Sequence, residues 1–369
     1  VTDRSGWRSC EAVIDLAAIR ANYELACRLA PDSRALAVIK ADAYGHGAVQ
    51  VAETLRDMAP MFAVGFIDEA VRLWDAGITE PVLLLQGASD VEELALVAAH
   101  GGAVVVHEEG QVATLVNSGL ASPVQVWLKI DTGMHRLGIA PARVAAALAR
   151  LGRSKNVAGD VVLCTHLAGS DVPGDAGTRR QIELFDACCE GTALPGSIAN
   201  SGAVLAYPES YRDWNRPGYM LYGGCPFVQD LPQARALAPA MTLRTAVIAV
   251  REVAAGESVG YGGRWTAERP SRVATAAIGY ADGYPRHAPN GTRVLVGGKA
   301  ARLAGTVSMD LVTVDVTGLG HVAVGDEVTL WGPGLSVDEV ARRAGTIGYE
   351  LLTSVSARVP RRYKGWQGG

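Results

Sequence analysis

From residue 35 onwards, short apolar runs alternate with stretches in which apolar positions recur every three or four residues. The runs Ala35–Ile39, Met61–Phe66, Val82–Leu85, Ala103–Val106, Val124–Ile130 and Asp160–Thr165 have the length and β-branched content of buried strands. Leu16–Ala30 before the first run, and Ala48–Met58, Glu69–Ala76, Val91–Ala99, Gly110–Ser118, Ala142–Leu151 and Thr178–Glu190 after it, carry the period of amphipathic helices. Strand-then-helix alternation requires a parallel sheet. The number of units over residues 11–237 predicts an α/β fold, a (β/α)8 TIM-like barrel in preference to an open doubly wound sheet. Lys40, Lys129 with Asp131, His166, and Asn200 with Ser201 all follow apolar runs. They are therefore expected together at the C-terminal mouth of the barrel, where sites of this architecture form.

Near Ala238 the pattern changes. Alternating strands such as Thr245–Val250 and Arg272–Ile278, broken by Gly262-Gly263, Pro289-Asn290-Gly291 and Gly297-Gly298, predict a second, mostly antiparallel β domain over residues 238–369. Asp230–Pro239, with two prolines and several alanines, is the expected linker. Val13-Ile14-Asp15 could form a strand of its own before the first helix.

Length and charge narrow the class. A chain of 369 residues suggests two domains with ample core. Its net charge of −4 and lack of a basic run argue against nucleic acid or another polyanion as partner. No apolar stretch reaches the roughly 18 residues of a membrane span, and Val1–Cys10 lacks the basic-then-apolar order of a secretory signal. A cytoplasmic location is the resulting expectation. The six cysteines lack C-x-x-C spacing, so they are read as ordinary thiols, the adjacent Cys188 and Cys189 included, and no metal site is expected.

Lys40 carries the first chemical signal. An ammonium ending a buried strand is costly unless it snorkels to solvent or its pKa falls, and a desolvated amine suits Schiff-base chemistry. Lys40-Ala41-Asp42-Ala43-Tyr44-Gly45-His46-Gly47 closely resembles the pyridoxal 5′-phosphate (PLP) lysine motif of the alanine racemase family. The resemblance continues, in order, through Lys129–Gly138, Asn200–Ser201, Arg216–Gly223, Gly279–Arg286, Ser308–Asp310 and Gly345–Glu350.

That resemblance implies a PLP-dependent, homodimeric racemase interconverting L- and D-alanine with two bases, Lys40 and, from the partner subunit, Tyr261. A phenol is a poor base at neutral pH unless nearby cations stabilise its anion; His166, backed by Arg216, is the implied support. Arg216 is the implied partner of the pyridine nitrogen, and a guanidinium, which holds its protons, leaves that nitrogen unprotonated and disfavours transamination. Phosphate contacts are implied for the Tyr44 and Tyr349 hydroxyls, for Ser201 beside Asn200, and for the backbone amides of Gly218 and Tyr219. Arg136 and the Met309 amide would hold the substrate carboxylate, and Lys129 would be carbamylated so that it anchors Arg136. Tyr280 and Tyr349 would form a gate, with Asp171 and Arg286 outside it. The N-terminal residues 1–10 would pair with the second domain.

The sequence departs from the family pattern at Thr306, often Arg, at Ser308, often Cys, and at Ser197, often a His behind the PLP arginine. The last leaves open how rigidly Arg216 is held. D-Alanine supply for peptidoglycan is the expected use, with alanine catabolism as the other. Rival activities are a serine or broad-specificity racemase, a non-catalytic PLP-binding barrel, which would have no second domain, and a barrel-type decarboxylase, which would pair the pyridine nitrogen with a carboxylate.

Overall fold

The computed structural model describes residues 9–365. Two sheets dominate it. The first is parallel and consists of nine segments. Arg34–Ala35 pairs with Trp214–Arg216, whereas Ala37–Val38 pairs with Phe62–Val64. These two segments are halves of one strand, so eight strands close into a ring: Leu36 N donates to Asn215 O (2.9 Å) on one side and Ala37 N to Met61 O (3.1 Å) on the other. The helix Leu16–Leu29, capped by Asp15 Oδ1 on Ala18 N (3.0 Å), packs between Ala48–Leu55 and Ser201–Ala206 and so fills the eighth helical position.

Two strands of the ring, Gly196–Asn200 and Trp214–Arg216, are not evident from the apolar pattern. Their inward positions carry Ser197, Asn200 and Arg216, and polar residues interrupt the apolar run by which a buried barrel strand is recognised.

The second sheet is built on one long strand, Met241–Val253. Its first half pairs with Glu327–Trp331 and its second half with Ser271–Ala276, which closes six strands into a small antiparallel barrel. Glu11–Asp15 pairs antiparallel with Met241–Arg244 and parallel with Arg361–Lys364. The parallel barrel therefore begins at Leu16 and not at residue 11, because the pairing edge of Glu11–Asp15 is met by the second sheet. Of the N-terminal segment expected against that domain, residues 1–8 lie outside the described residues; Ser9 Oγ lies 3.4 Å from Thr245 Oγ1, and Cys10 is buried. Among the described residues no helix is long and apolar enough to cross a membrane.

Candidate active site

The barrel mouth holds a cavity of about 560 Å³. Lys40, Tyr44, Lys129, Arg136, His166, Asn200, Ser201, Arg216, Gly218, Tyr219 and Tyr349 all line it. Each of the first ten stands at or just after a strand of the ring, and Tyr349 reaches in from the helix Gly348–Ser354 of the second domain.

Lys40 is followed by an unusual backbone. Ala41, Asp42, Ala43 and Tyr44 all have φ near +53°, one left-handed helical turn in residues other than glycine. Such a conformation costs roughly 1–2 kcal/mol per residue, so the surroundings must hold it. Glu69 accepts from Ala41 N, and Asp42 Oδ1 accepts from Ala48 N (2.9 Å). His46, fully buried, places Nδ1 2.9 Å from both the Ala43 and Tyr44 carbonyls, which requires the proton on that nitrogen. Burial pushes its pKa down to about 4, so the ring is neutral at neutral pH. It stacks on Tyr222 (4.5 Å), which stacks on Tyr44 (4.8 Å). His46 stood in the lysine motif with no role assigned; a buried histidine two residues past a run of strained backbone is a signal only once that backbone is known.

Basic groups dominate the cavity: Lys40, Lys129, Arg136 and Arg216 line it with Glu350. Burial lowers the pKa of Lys40, and the Arg136 charge adds to the effect. Burial likewise lowers that of Lys129, with Arg216, Arg136 and Lys40 as further unfavourable neighbours. His166 is held well below its usual range by desolvation first and then by Arg216, so its imidazole is neutral. A cavity with this balance favours anionic ligands and keeps the Lys40 amine nucleophilic.

Arg216, 7% exposed, is held rigidly despite the serine behind it. Nη1 donates to Ser197 Oγ (2.5 Å), and Nη2 to Thr165 O (2.5 Å) and Ile198 O (3.2 Å). Ser197 Oγ in turn donates to Trp214 O (2.9 Å). A small hydroxyl thus does the work of a bulkier partner, and among the described residues no acceptor engages Arg216 Nε. Thr165 is fixed through Thr132, whose hydroxyls lie 2.8 Å apart, and Gln181 links Thr132 (3.2 Å) to His166 O (3.1 Å). Nothing in the residue pattern singles out Thr165, Thr132 or Gln181; the bonds that join them form only in the folded chain.

The cradle expected for a phosphate is partly engaged within the chain. Ser201 Oγ accepts from Gly218 N (2.9 Å) and Met220 N (3.2 Å), and Asn200 Oδ1 accepts from Ala203 N (3.0 Å) and Ser170 Oγ (2.8 Å). A Cβ on residue 218 would lie 2.8 Å from the Tyr44 hydroxyl and 3.2 Å from Val38 Cβ, so a side chain there would fill the space beside Tyr44. Lysine amine, tyrosine hydroxyls, serine and an open glycine form a donor set that fits PLP.

Three further residues of the expected site do not line this cavity, two of which, Tyr261 and Met309, were expected to come from a second subunit. Tyr261 (73% exposed), Met309 (53%) and Tyr280 lie on the open face of the second domain and do not line the cavity of their own chain. They form one patch: Thr306 Oγ1 donates to Tyr261 O (3.1 Å), Tyr280 N to Ser308 O (3.0 Å) and Ala281 N to Met309 O (3.0 Å). Thr306 thus fixes the Tyr261 backbone. Asp171 lines a second cavity adjoining the first, and Arg286 is exposed.

Comparison with known proteins agrees with this architecture. The family model for the alanine racemase N-terminal domain matches residues 14–226 and that for the C-terminal domain residues 240–363. An alanine racemase of Chromohalobacter salexigens is 51% identical over 97% of this chain and 98% of its own. The crystal structure of the biosynthetic alanine racemase from Pseudomonas aeruginosa superposes with a TM-score of 0.93 at 48% identity, covering 97% of this chain and 99% of that one. The Bartonella henselae alanine racemase, solved with covalently bound pyridoxal phosphate, superposes with a TM-score of 0.87 at 30% identity over 96% and 99% of the two chains.

Proposed function

The chain belongs to the alanine racemase family, a PLP-dependent family, and on that premise we propose how its own residues interconvert L- and D-alanine. The observation that carries the proposal is the desolvated Lys40 amine at the mouth of a cationic cavity whose tyrosine, serine and glycine donors fit PLP. PLP, when bound there, supplies the electron sink that makes the Cα proton of an amino acid removable.

Lys40 Nζ takes or gives the proton on one face of Cα. The Tyr261 hydroxyl of a second subunit serves the other face, because the Tyr261 of the same chain stands on an exposed surface. A neutral His166 can accept a hydrogen bond from that phenol or donate one to its anion, and the Arg216 and Arg136 charges favour the anion. Arg136 and, from the second subunit, the Met309 amide hold the substrate carboxylate. Arg216, immobilised through Nη1 and Nη2, would be the partner of the pyridine nitrogen and, because a guanidinium keeps its protons, would leave that nitrogen unprotonated. Ser201, Tyr44, Tyr349 and the amides of Gly218 and Tyr219 would hold the phosphate.

Lys129 is the proposed site of carbamylation. Its lowered pKa leaves more neutral amine to react with CO2, and the product replaces one of several crowded cations by an anion that can hold Arg136. Tyr349, together with Tyr280 of the second subunit, limits the substrate to small side chains. D-Alanine for peptidoglycan is the proposed use; dependence of a deletion strain on added D-alanine separates it from alanine catabolism.

Racemisation of alanine, serine, lysine and arginine by the purified yellow holoprotein tests the reading. Alanine is expected fastest, with serine slower, since a pocket rejects an added hydroxyl only weakly. Lysine turnover comparable with that of alanine would refute the narrow pocket, and absence of alanine turnover would refute the activity.

A further inference from the structure

The size limit depends on Tyr349, and Tyr349 is held by groups the proton transfers do not need. Its ring lines both the main cavity and the adjoining one, so it forms part of the wall between them. Tyr219 stacks on it with centroids 3.7 Å apart and planes 12° from parallel. The Tyr219 hydroxyl donates to Oδ1 (2.5 Å) of Asp338, a residue that lines the second cavity. Asp338 is 7% exposed, and its other oxygen accepts from Cys225 N (3.0 Å). It sits in the first turn of the helix Val337–Ala344, where Ser336 Oγ accepts from its backbone N (3.1 Å) and the helix dipole favours a carboxylate.

Gly348 shows how closely this bond is built in. A Cβ there would lie 1.8 Å from the Tyr219 hydroxyl and 2.7 Å from Asp338 Oδ1, so the bond passes over the start of the helix that carries Tyr349. Burial and the Asp338 carboxylate together keep Tyr219 protonated, and hence a donor. One carboxylate of the second domain is thereby joined to a ring at the barrel mouth and, through it, to the pocket wall.

We propose that Asp338 is a positioning residue for substrate size: through the Tyr219 hydroxyl it fixes the Tyr219–Tyr349 stack that separates the two cavities. The proposal rests on the alanine racemase reading. In Asp338→Ala, the wall loses its tether, so kcat/KM for 2-aminobutyrate and norvaline relative to alanine should rise about tenfold. The KM for alanine should rise while its kcat changes less than about threefold, the pattern of lost uniform binding. Tyr219→Phe, which deletes one oxygen and keeps the ring, should shift the size ratio in the same direction, and the double variant should add nothing further. Asp338→Asn keeps an acceptor for the hydroxyl and should restore most of the preference for alanine. Thermal unfolding of the cofactor-free proteins gives a second readout, in which the two lesions together should destabilise by less than their sum. A size ratio unchanged in both Asp338→Ala and Tyr219→Phe, in an enzyme that racemises alanine, overturns the proposal. If the native protein does not racemise alanine, it is the activity that fails, and additive unfolding effects would then overturn the tether as well.

Discussion

On the proposed reading, the barrel mouth and the open face of the second domain carry halves of one chemistry, and their physical states are opposite. At the mouth, Arg216 is nearly inaccessible and bonded three ways, and Lys40 ends a strand whose following turn is clamped by Glu69, Asp42 and His46. On the second domain, Tyr261 and Met309 are more than half exposed, and the hydrogen bonds of their patch fix backbone. The mouth has gathered basic groups, a setting that favours an anionic ligand; the Tyr261 phenol of the open face lies outside the cavity of its own chain. Each supplies what the other lacks, which is the physical argument for a two-fold dimer with shared sites.

The largest effect is expected at the buried half. Lys40→Ala should lower racemisation by at least about 10³-fold, since it removes both the covalent tether and one base. Borohydride reduction of the native protein should fix the cofactor to Lys40 in a peptide map; a different lysine would move the centre of the site.

Next comes the exposed half. Tyr261→Phe should cost roughly 10²–10⁴-fold as the loss of one acid–base group. Mixing Tyr261→Phe with Lys40→Ala chains should restore about one native site per heterodimer. If subunits exchange and no activity returns, both bases act within one chain and the contrast between the two regions loses its meaning.

Arg216→Glu sharpens the comparison within the mouth. We expect racemisation to fall by roughly 10²-fold and the share of abortive transamination to rise, because a carboxyl lets the pyridine nitrogen take a proton. Equal loss of both reactions would mean that the grip of Ser197 and Thr165 on Arg216 matters only for holding the cofactor.

The smallest effect concerns stability. The folded His46 pKa of about 4 lies below its usual 6.5, so the unfolded chain binds the extra proton first as pH falls. The stabilisation from a neutral His46 is thus present above pH 6.5 and is lost as pH falls toward 4. Between pH 7 and pH 5 this one group should remove about 2 kcal/mol from the unfolding free energy in urea. A His46→Gln protein, which cannot titrate there, should show a flatter dependence; an unchanged slope would assign the acid sensitivity to other groups.

Much of the site was legible because barrel chemistry sits at strand ends. Lys40 after Ala35–Ile39 and His166 after Val161–Thr165 could be placed by an apolar run and the residue that stops it. The strands Gly196–Asn200 and Trp214–Arg216 were obscured by the functional residues they carry. The left-handed turn after Lys40 was not legible either, since Ala41-Asp42-Ala43-Tyr44 has no residue that favours positive φ.

By itself, the sequence determined the alternation that makes the first barrel, the change of period that makes the second sheet, and the residue types of the chemistry. These follow from local order: period, strand length and the polar residue ending each run. Only the tertiary structure decided that Glu11–Asp15 joins the second sheet, that Ser197 suffices to hold Arg216, and that Asp338 reaches Tyr219 across more than a hundred residues. It also decided which tyrosines are buried in the pocket and which stand exposed on the second domain. Such contacts depend on where distant segments meet, and a buried hydrogen bond between residues far apart leaves no periodic trace along the chain.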